Sequence, residues 1–168
     1  MKCITMHCDA DWGGSKDRKS TSEYLISCDG NILLWKSALQ KTVTYSTEEA
    51  EFKSFATGIS DLNWVIGLLK EMKYPIPYPL TCYTDNQACL KSLTNENYRG
   101  RSKHNEIHYN IVREEIKKHK LNVCYIASEE NLAGIFTKIL PPIKLNYLKE
   151  KLSLNVEFGG DVDTGTFV

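Results

Sequence analysis

The order of strand-like and helix-like segments constrains this chain of 168 residues more than any other feature. Three β-rich runs, residues 2–9, 22–28 and 32–37, come first, and Asp29-Gly30-Asn31 is a hairpin-turn pattern between the second and third runs. After residue 46, helical periodicity alternates with two short β-rich runs at 80–84 and 121–126. This order predicts an α/β protein whose five-stranded mixed sheet joins three antiparallel strands to parallel additions, with helices on both faces.

The longest predicted helix carries apolar residues at steps of four and three, which is the spacing of a core-facing stripe. Ser46 or Thr47 can cap its start, and the prolines at 75, 77 and 79 end it. Shorter helices are predicted over residues 87–93, 104–119, 130–137 and 145–152, and Pro141-Pro142 is expected to end the third of these. The stripe consists of Phe55, Ile59, Leu62, Ile66 and Leu69.

The composition is that of one globular domain. Hydrophobic residues make up 42% and charged residues 25%, which is enough apolar material for one core. The chain contains no run of about 18 apolar residues and no secretory signal, so we expect no membrane span. We expect a domain over residues 1–154, a flexible tail over 155–168, and an intracellular protein of the cytoplasm and nucleus. The six cysteines form no C-x-x-C pair and are predicted to be reduced core thiols.

The net charge is zero, because 21 Lys and Arg balance 21 Asp and Glu, so the total charge does not indicate a nucleic-acid binder. Basic residues nevertheless cluster locally. Each cluster is either a solvated face or an anion-binding patch, and the sequence leaves both interpretations open. The clusters are Lys16, Arg18 and Lys19; Arg99, Arg101, Lys103 and His104; and Lys117, Lys118 and Lys120.

Three carboxylates stand at the ends of predicted elements. Asp9 ends the first strand, Glu51 lies in the first turn of the long helix, and Asp85 follows the fourth strand. In open α/β sheets, sites form beyond the strand ends, so these three acids can converge. Converging carboxylates repel one another unless a cation lies among them, and oxygen ligands favour Mg²⁺ or Mn²⁺. The alternative is that both aspartates are turn residues and Glu51 interacts only with the helix dipole.

An ordered series of short motifs adds to this interpretation and covers roughly residues 6–154. The motifs are residues 8–13 (CDADWG), 18–22 (RKSTS), 34–37 (LWKS), 40–43 (QKTV), 46–52 (STEEAEF), 83–87 (YTDNQ), 101–104 (RSKH) and 131–138 (NLAGIFTK). Together they resemble the ribonuclease H domain of copia-type retrotransposon Pol polyproteins. The resemblance implies the ribonuclease H-like fold, which agrees with the strand order predicted above.

The resemblance also implies a function. It assigns metal binding and catalysis to Asp9, Glu51 and Asp85, with Mg²⁺ or Mn²⁺ as the cofactor. Asp11, two residues after Asp9 on the same strand face, is the second choice for the first role, and Glu48 is expected on the surface. The implied reaction is endonucleolytic cleavage of the RNA strand in RNA–DNA hybrids during reverse transcription, which two metal ions can support. Arg101, Lys103 and His104 match a basic segment of the family that is expected to contact the hybrid backbone.

One departure from the family puts activity in doubt. The family's fourth carboxylate is an aspartate in a Leu-Ala-Asp-Ile-like motif, and Gly134 occupies that position here. Glycine can neither bind a metal nor orient a water, so the second metal should be weakened. Glu129 and Glu130 lie nearby in sequence, but their spacing does not make either one a replacement.

Three hypotheses therefore remain open at the level of sequence. The chain is an active hybrid endonuclease, a catalytically inactive retroelement relic that keeps the fold and binds nucleic acid or a protein, or a domesticated structural module. In the family a covalently linked reverse transcriptase precedes this domain. Met1 falls just before the first predicted strand, so the polymerase is expected to be absent, as in a fragment of a decayed element.

Overall fold

The computed structural model of the chain describes residues 3–95, 98, 103–136 and 140–152, and for residues 103–106 it describes the backbone only. This part of the chain forms five strands, four α-helices and one short 3-10 turn. In chain order they are β1 (Ile4–Asp11), β2 (Thr21–Cys28), β3 (Asn31–Leu39), α1 (Thr47–Glu71), β4 (Leu80–Thr84), α2 (Gln87–Thr94), α3 (Lys103–Lys118), β5 (Leu121–Tyr125), the 3-10 turn (Leu132–Ile135) and α4 (Pro142–Lys151).

The strands form one mixed sheet in the order β3-β2-β1-β4-β5. β1, β2 and β3 pair antiparallel, whereas β4 is parallel to β1 and β5 is parallel to β4. The predicted five-stranded mixed sheet is therefore confirmed. β1 is the central strand and has a neighbour on each side, which fixes its position more firmly than that of an edge strand.

The β2–β3 connection is the tight hairpin that the sequence predicts. Asp29 and Gly30 have φ angles of 51° and 80°, so both turn residues are in the left-handed region. Turns of this kind match the right-handed twist of the strands they join, and Asp-Gly is a preferred pair for them. Asn31, which the sequence pattern places in the turn, is already the first residue of β3.

Helix α1 begins where the sequence predicts, because two side chains accept hydrogen bonds from backbone amides at its start. The Ser46 hydroxyl accepts a hydrogen bond from the Glu49 amide at 3.2 Å, and the Glu49 carboxylate accepts one from the Tyr45 amide at 2.9 Å. The helix packs closely on the sheet at Gly58, where an added Cβ would lie 2.9 Å from the Met6 sulfur. All five residues of the predicted stripe are buried in this interface.

The opposite face of the sheet is covered by the 3-10 turn and α4. The turn packs on β1 and β2, and α4 packs on the turn. Trp35 of β3 stacks on Phe136, the residue after the turn, with ring centroids 5.5 Å apart. Elements therefore cover both faces of the sheet, as the sequence predicts.

Two local predictions near the C-terminus are wrong. The segment predicted as a helix over residues 130–137 is the 3-10 turn Leu132–Ile135, and residue 137 lies outside the described residues. Pro142 does not end a helix but occupies the first turn of α4, where its missing amide hydrogen costs nothing and its fixed φ suits the helix. Helix α4 therefore begins three residues before the predicted start at 145.

Among the described residues, no helix combines the length and apolar character that a membrane crossing needs. All six cysteines are free thiols. Four of them are buried, but Cys3 is exposed and Cys124 is half-buried, so the prediction of core thiols is wrong for these two. The predicted tail over residues 155–168 lies outside the described residues.

Candidate active site

Three carboxylates from distant parts of the sequence meet at one edge of the sheet. Asp9 and Glu51 are only 2% and 6% exposed, and Asp85 is half-buried. One carboxylate oxygen of each lies within 4.8 Å of the corresponding oxygens of the other two. We call these residues the carboxylate triad. They are the same three residues that the sequence proposes as metal ligands.

The strand pairing explains why two of these acids lie side by side. β1 and β4 are parallel, and Cys8 is paired with Thr84 in their register. Asp9 and Asp85 are the next residues along the two strands, so they lie side by side where the pairing of β1 with β4 ends. The prediction that Asp9 ends the first strand is wrong, because β1 continues to Asp11 through its pairing with β2. Glu51 reaches this edge from the first turns of α1, which packs across β1 and β2.

Two buried thiols lie close to the triad. Burial, followed by the nearby Cys82 and Glu51, raises the pKa of the Cys8 thiol. Burial and then Glu51 raise the pKa of the Cys89 thiol in the same way. Both thiols therefore stay neutral, and the triad offers only oxygen donors to a ligand, a donor set that suits Mg²⁺ or Mn²⁺.

Asp11, the second choice for the first position, lies apart from the triad. Its carboxylate covers Gly14, where an added Cβ would lie 1.7 Å from Asp11 Oδ2. Position 14 must therefore remain glycine for the Asp11 side chain to keep this position. The sequence keeps Asp11 as the second choice after Asp9 because both point to the same side of β1, and the structure places Asp9 in the triad.

A serine that the sequence did not indicate contacts the triad. Ser128, in the loop between β5 and the 3-10 turn, donates a hydrogen bond from its hydroxyl to Asp85. The two residues are far apart in sequence, and no motif links them. This bond orients one triad carboxylate from the side of the fold that carries Gly134.

Gly134 lies in the 3-10 turn, and that turn is tied directly to β1. Asn131 is fully buried, and its side-chain nitrogen Nδ2 donates a hydrogen bond to the backbone carbonyl of Cys8 at 2.8 Å. Cys8 directly precedes Asp9 in the chain. The Asn131 side-chain oxygen accepts from the Ala133 amide at 3.2 Å, and the Gly134 amide donates to the Asn131 carbonyl at 3.1 Å. The backbone of position 134 is therefore tied, through Asn131, to the β1 residue that precedes Asp9.

Neither glutamate near Gly134 belongs to the carboxylate group. The Glu130 carboxylate accepts hydrogen bonds from the Lys151 ammonium and from the Tyr147 hydroxyl, the latter at 2.6 Å, both on α4. These bonds to Lys151 and Tyr147 lower the pKa of Glu130. Glu129 is exposed, and within the described ranges the cluster contains Asp9, Glu51 and Asp85 alone.

Comparison with known proteins identifies the relatives of this chain. No protein-family model matches the chain. It is 30% identical over 147 residues to the retrovirus-related Pol polyprotein from transposon RE2 of Arabidopsis thaliana, covering 87% of the chain and 10% of that protein. It is 33% identical over 149 residues to the Pol polyprotein from transposon TNT 1-94 of Nicotiana tabacum, covering 88% and 11%. The chain is a homologue of transposon Pol polyproteins.

Solved structures identify the fold of this Pol homologue. A ribonuclease H1 isolated from compost matches with a TM-score of 0.61 and 15% identity over 92% of the chain and 98% of that protein. The N-terminal RNase H domain of Rv2228c from Mycobacterium tuberculosis matches with a TM-score of 0.58 and 8% identity over 89% and 98%. The fold is therefore that of ribonuclease H. The chain spans about a tenth of the length of the Pol polyproteins above.

The basic segment predicted to contact nucleic acid lies mostly outside the described residues of the Pol homologue. Arg101 is among the residues that the structure does not describe. Lys103 and His104 open α3, but their side chains are outside the description. The interface predicted for these three residues stays a prediction.

A buried cluster borders this segment, and the sequence missed it. Glu48, expected on the surface, is half-buried and accepts hydrogen bonds from the hydroxyls of Tyr98 and Tyr109, the latter at 3.5 Å. Arg113 donates to the carbonyls of Ser92 and Tyr98 at 3.1 and 3.3 Å and lies over both tyrosine rings. Tyr98 precedes the basic segment, so the cluster links that region to the helix that carries Glu51.

Proposed function

We propose that the chain is the ribonuclease H domain of a copia-type retrotransposon and that it cleaves the RNA strand of RNA–DNA hybrids. The observation that carries this proposal is the carboxylate triad, whose oxygens lie within 4.8 Å of one another. Three negative charges at this separation favour a bound divalent cation. Hydrolysis of phosphodiesters by such a cation is the chemistry that the fold family implies.

The comparisons support the choice of substrate. A ribonuclease H1 solved in complex with an RNA/DNA hybrid matches the chain with a TM-score of 0.58 and 14% identity, over 76% of the chain and 88% of that protein. The homology to Pol polyproteins supports a reverse transcriptase as the covalently linked partner. On this basis the domain acts in the cytoplasm and nucleus, where reverse transcription products are made and delivered.

Each triad residue has a proposed role. Asp9 and Asp85, which follow the last paired residues of the parallel strands β1 and β4, would hold Mg²⁺ or Mn²⁺ together with Glu51 of α1. The cation would lower the pKa of the attacking water and neutralise charge on the phosphate. Ser128 would keep Asp85 oriented through its hydrogen bond. Arg101, Lys103 and His104 would bind the phosphate backbone of the hybrid.

A second candidate function is supported by position 134. Gly134 supplies no fourth carboxylate, and Glu130 is engaged by Lys151 and Tyr147 on α4. A second metal ion therefore has fewer ligands than the family's pattern provides. Under this alternative the chain is a catalytically inactive relic that keeps the fold and binds nucleic acid or a protein partner.

Cleavage of a labelled RNA–DNA hybrid tests the proposal directly. We expect weak cleavage by the natural chain with Mg²⁺ and then Mn²⁺, and an increase on the order of 100-fold in Gly134→Asp, equivalent to about 2.7 kcal/mol of transition-state stabilisation. Equal, strong cleavage by both proteins would mean that three carboxylates suffice. Absence of cleavage in both would support the inactive relic.

A matched variant checks that the gain depends on position 134. Glu129→Asp moves no charge to that position, so it should leave cleavage unchanged. Double-stranded DNA and double-stranded RNA of the same sequence serve as substrate controls. Cleavage of these duplexes at the rate of the hybrid would contradict the proposed substrate.

A further inference from the structure

A groove of about 620 Å³ lies beside the site already described, and none of the triad carboxylates lines it. Its walls come from the end of β3 and the residues after it, from α1, and from α3. This volume is within the range of about 300–1,000 Å³ that is typical of small-molecule sites. The groove shares α1 with the triad, because Glu49 and Phe52 line it and flank Glu51 in the helix.

One buried polar atom in the wall of the groove lacks a partner. Gln40 is 8% exposed, and its amide nitrogen donates to Ser22 Oγ at 2.8 Å and to the Ala50 carbonyl at 3.0 Å. A carbonyl can only accept, so this bond fixes which end of the amide is the nitrogen. The other end, Gln40 Oε1, has no hydrogen-bond partner within the described part of the chain. A buried acceptor left this way costs about 1–3 kcal/mol, which a ligand that donates a hydrogen bond would recover.

The charge of the groove is positive. Lys53 is paired with Glu49 at 2.9 Å and donates to Thr42 at 3.1 Å, so its charge is compensated. Lys36 and Lys41 are exposed, and neither forms a salt bridge with a described residue. Two uncompensated ammonium groups at one rim attract an anion.

The remaining surface of the groove is largely apolar. Leu39 is half-exposed on the β3 side, and Phe52 and Tyr109 lie on the helical side with their ring centroids 4.0 Å apart. A ligand that fits must therefore combine negative charge with a flat, partly apolar body and hydrogen-bond donors. Phosphate and nucleobase supply these three properties in one unit.

We propose that this groove binds one nucleotide of a single-stranded nucleic acid, with phosphates beside Lys36 and Lys41 and the base on the apolar wall. The inference deepens the proposed function, since it assumes that the chain handles nucleic-acid strands. A strand that leaves a hybrid held at the triad can follow α1 to the groove. The donor groups of the base lie toward the Gln40 side.

Fluorescence anisotropy with a 5′-labelled DNA pentanucleotide tests the groove in a buffer that contains EDTA, so that the triad binds no cation. The double variant Lys36→Gln and Lys41→Gln should weaken binding by about tenfold or more. For a single strand, each phosphate contact contributes about −0.7 to the slope of the logarithm of the binding constant against the logarithm of the salt concentration. The loss of two contacts should therefore make this slope shallower by about 1.4. The matched double variant Lys70→Gln and Lys91→Gln removes the same charge from exposed residues outside the groove and should change affinity less than twofold.

Three outcomes would overturn the inference. Equal weakening in both double variants would mean diffuse attraction rather than a site. Adenosine monophosphate that binds as tightly as the pentanucleotide would indicate a free-nucleotide site. An octaglutamate peptide that binds with the same dependence on Lys36 and Lys41 would indicate an acidic protein partner.

A pair of uncharged variants on α1 tests the shape of the groove. Ala56 lines the groove, so Ala56→Leu should fill it and reduce pentanucleotide binding while the helix is preserved by circular dichroism. Gly67 is on the same helix with no atom within 4 Å of an added Cβ, so Gly67→Leu should bind as the parent does. Equal binding by both variants would contradict the proposed site. Asp85→Asn should bind the pentanucleotide normally, which separates a failure of the groove from a failure of the triad.

Discussion

Two segments that meet beside the triad are held in place by different means. Asp9 and Asp85 are positioned by the hydrogen-bond ladder of parallel strands, and Glu51 by a capped helix of 25 residues. The segment from Ser128 to Phe136 contains only a single 3-10 turn and is tied to the sheet by side chains, chiefly Asn131. The first region depends on regular backbone structure, and the second depends on a few individual bonds.

On the proposed function, this difference explains how the fourth carboxylate that the family resemblance implies can be absent without a change in the surrounding backbone. The backbone at Gly134 is set by Asn131, so the fold does not need a carboxylate there. The triad positions are different, because each is buried or half-buried within, or directly after, an element that forms the core. Substitutions in the two regions should therefore separate loss of chemistry from loss of stability.

The largest effect is expected at the triad. In the Gly134→Asp background, Asp85→Asn should reduce hybrid cleavage on the order of 1,000-fold, about 4 kcal/mol, because it removes a ligand charge. Mn²⁺ at 100 times its dissociation constant should stabilise the parent by about 2.7 kcal/mol in thermal unfolding, and Asp85→Asn should lose this gain. Asp17→Asn, on an exposed loop, is the control. Unchanged cleavage in Asp85→Asn would rule out the proposed mechanism.

The second region should fail through stability. Asn131→Leu leaves the Cys8 carbonyl and the Ala133 amide without their side-chain partner in a buried site. Two such groups cost about 1–3 kcal/mol each, so we expect a loss of about 4 kcal/mol in urea unfolding. Asn122→Leu, on the exposed side of β5, should change stability by less than about 0.5 kcal/mol. An equal loss of unfolding free energy in the two variants would mean that Asn131 has no special role in stability.

The pH dependence of stability tests the buried histidine of β1. Burial, with a smaller contribution from Lys151, lowers the pKa of His7 from 6.5 to about 4. His7 therefore takes up a proton near pH 6.5 in the unfolded chain, but only near pH 4 in the folded protein. Stability is full above pH 6.5 and should fall by about 3 kcal/mol as the pH drops to 4.

The substitution His7→Phe isolates this histidine from the other groups that titrate with it. Phe keeps a ring against Tyr83, whose centroid lies 4.7 Å from that of His7, and it has no ionisable nitrogen. Urea unfolding at pH 7.0, 5.5 and 4.0 should show a smaller acid loss in the variant. An identical loss in both proteins would contradict the assignment to His7.

The smallest effect is expected at the buried cluster beside the basic segment. Glu48→Gln weakens the acceptor of the Tyr98 and Tyr109 hydroxyls and should cost about 1 kcal/mol. Glu129→Gln removes the same charge from an exposed position and should cost nothing measurable. The difference in the free energy of unfolding between the two variants measures the cluster, and a value near zero would mean that Glu48 is only a surface residue.

Much of the fold was predictable because its information is local. The apolar stripe of α1, its Ser46 cap and the Asp29-Gly30 turn are each encoded within a few residues. The 3-10 turn was mistaken for a helix because Asn131 competes for the backbone amide at Ala133. A proline such as Pro142 is compatible both with the end of a preceding helix and with the first turn of a following one. The sequence around it does not distinguish these two cases, and the tertiary structure does.

The site was predictable only in part. Resemblance and strand-end logic pointed to Asp9, Glu51 and Asp85, and the parallel register of β1 and β4 brings the aspartates together. Ser128 and Glu48 could not be found this way, since their partners lie 43 and 50 residues away in sequence. Contacts between residues so far apart in sequence depend on tertiary packing, which a local sequence pattern does not predict.

The anchoring of the 3-10 turn has a consequence for how such a gene changes over generations. Because the side chain of Asn131 anchors the turn to β1, and residue 134 contributes a backbone bond that any residue but proline can make, we expect that aspartate and glycine can exchange at 134 with little penalty to the folded state. Purifying selection that acts on folding alone lets this replacement through, whereas it removes most changes at Asn131. If the proposed function holds, position 134 is the point at which cleavage and folding come under separate selection, and the single substitution Gly134→Asp supplies the missing carboxylate.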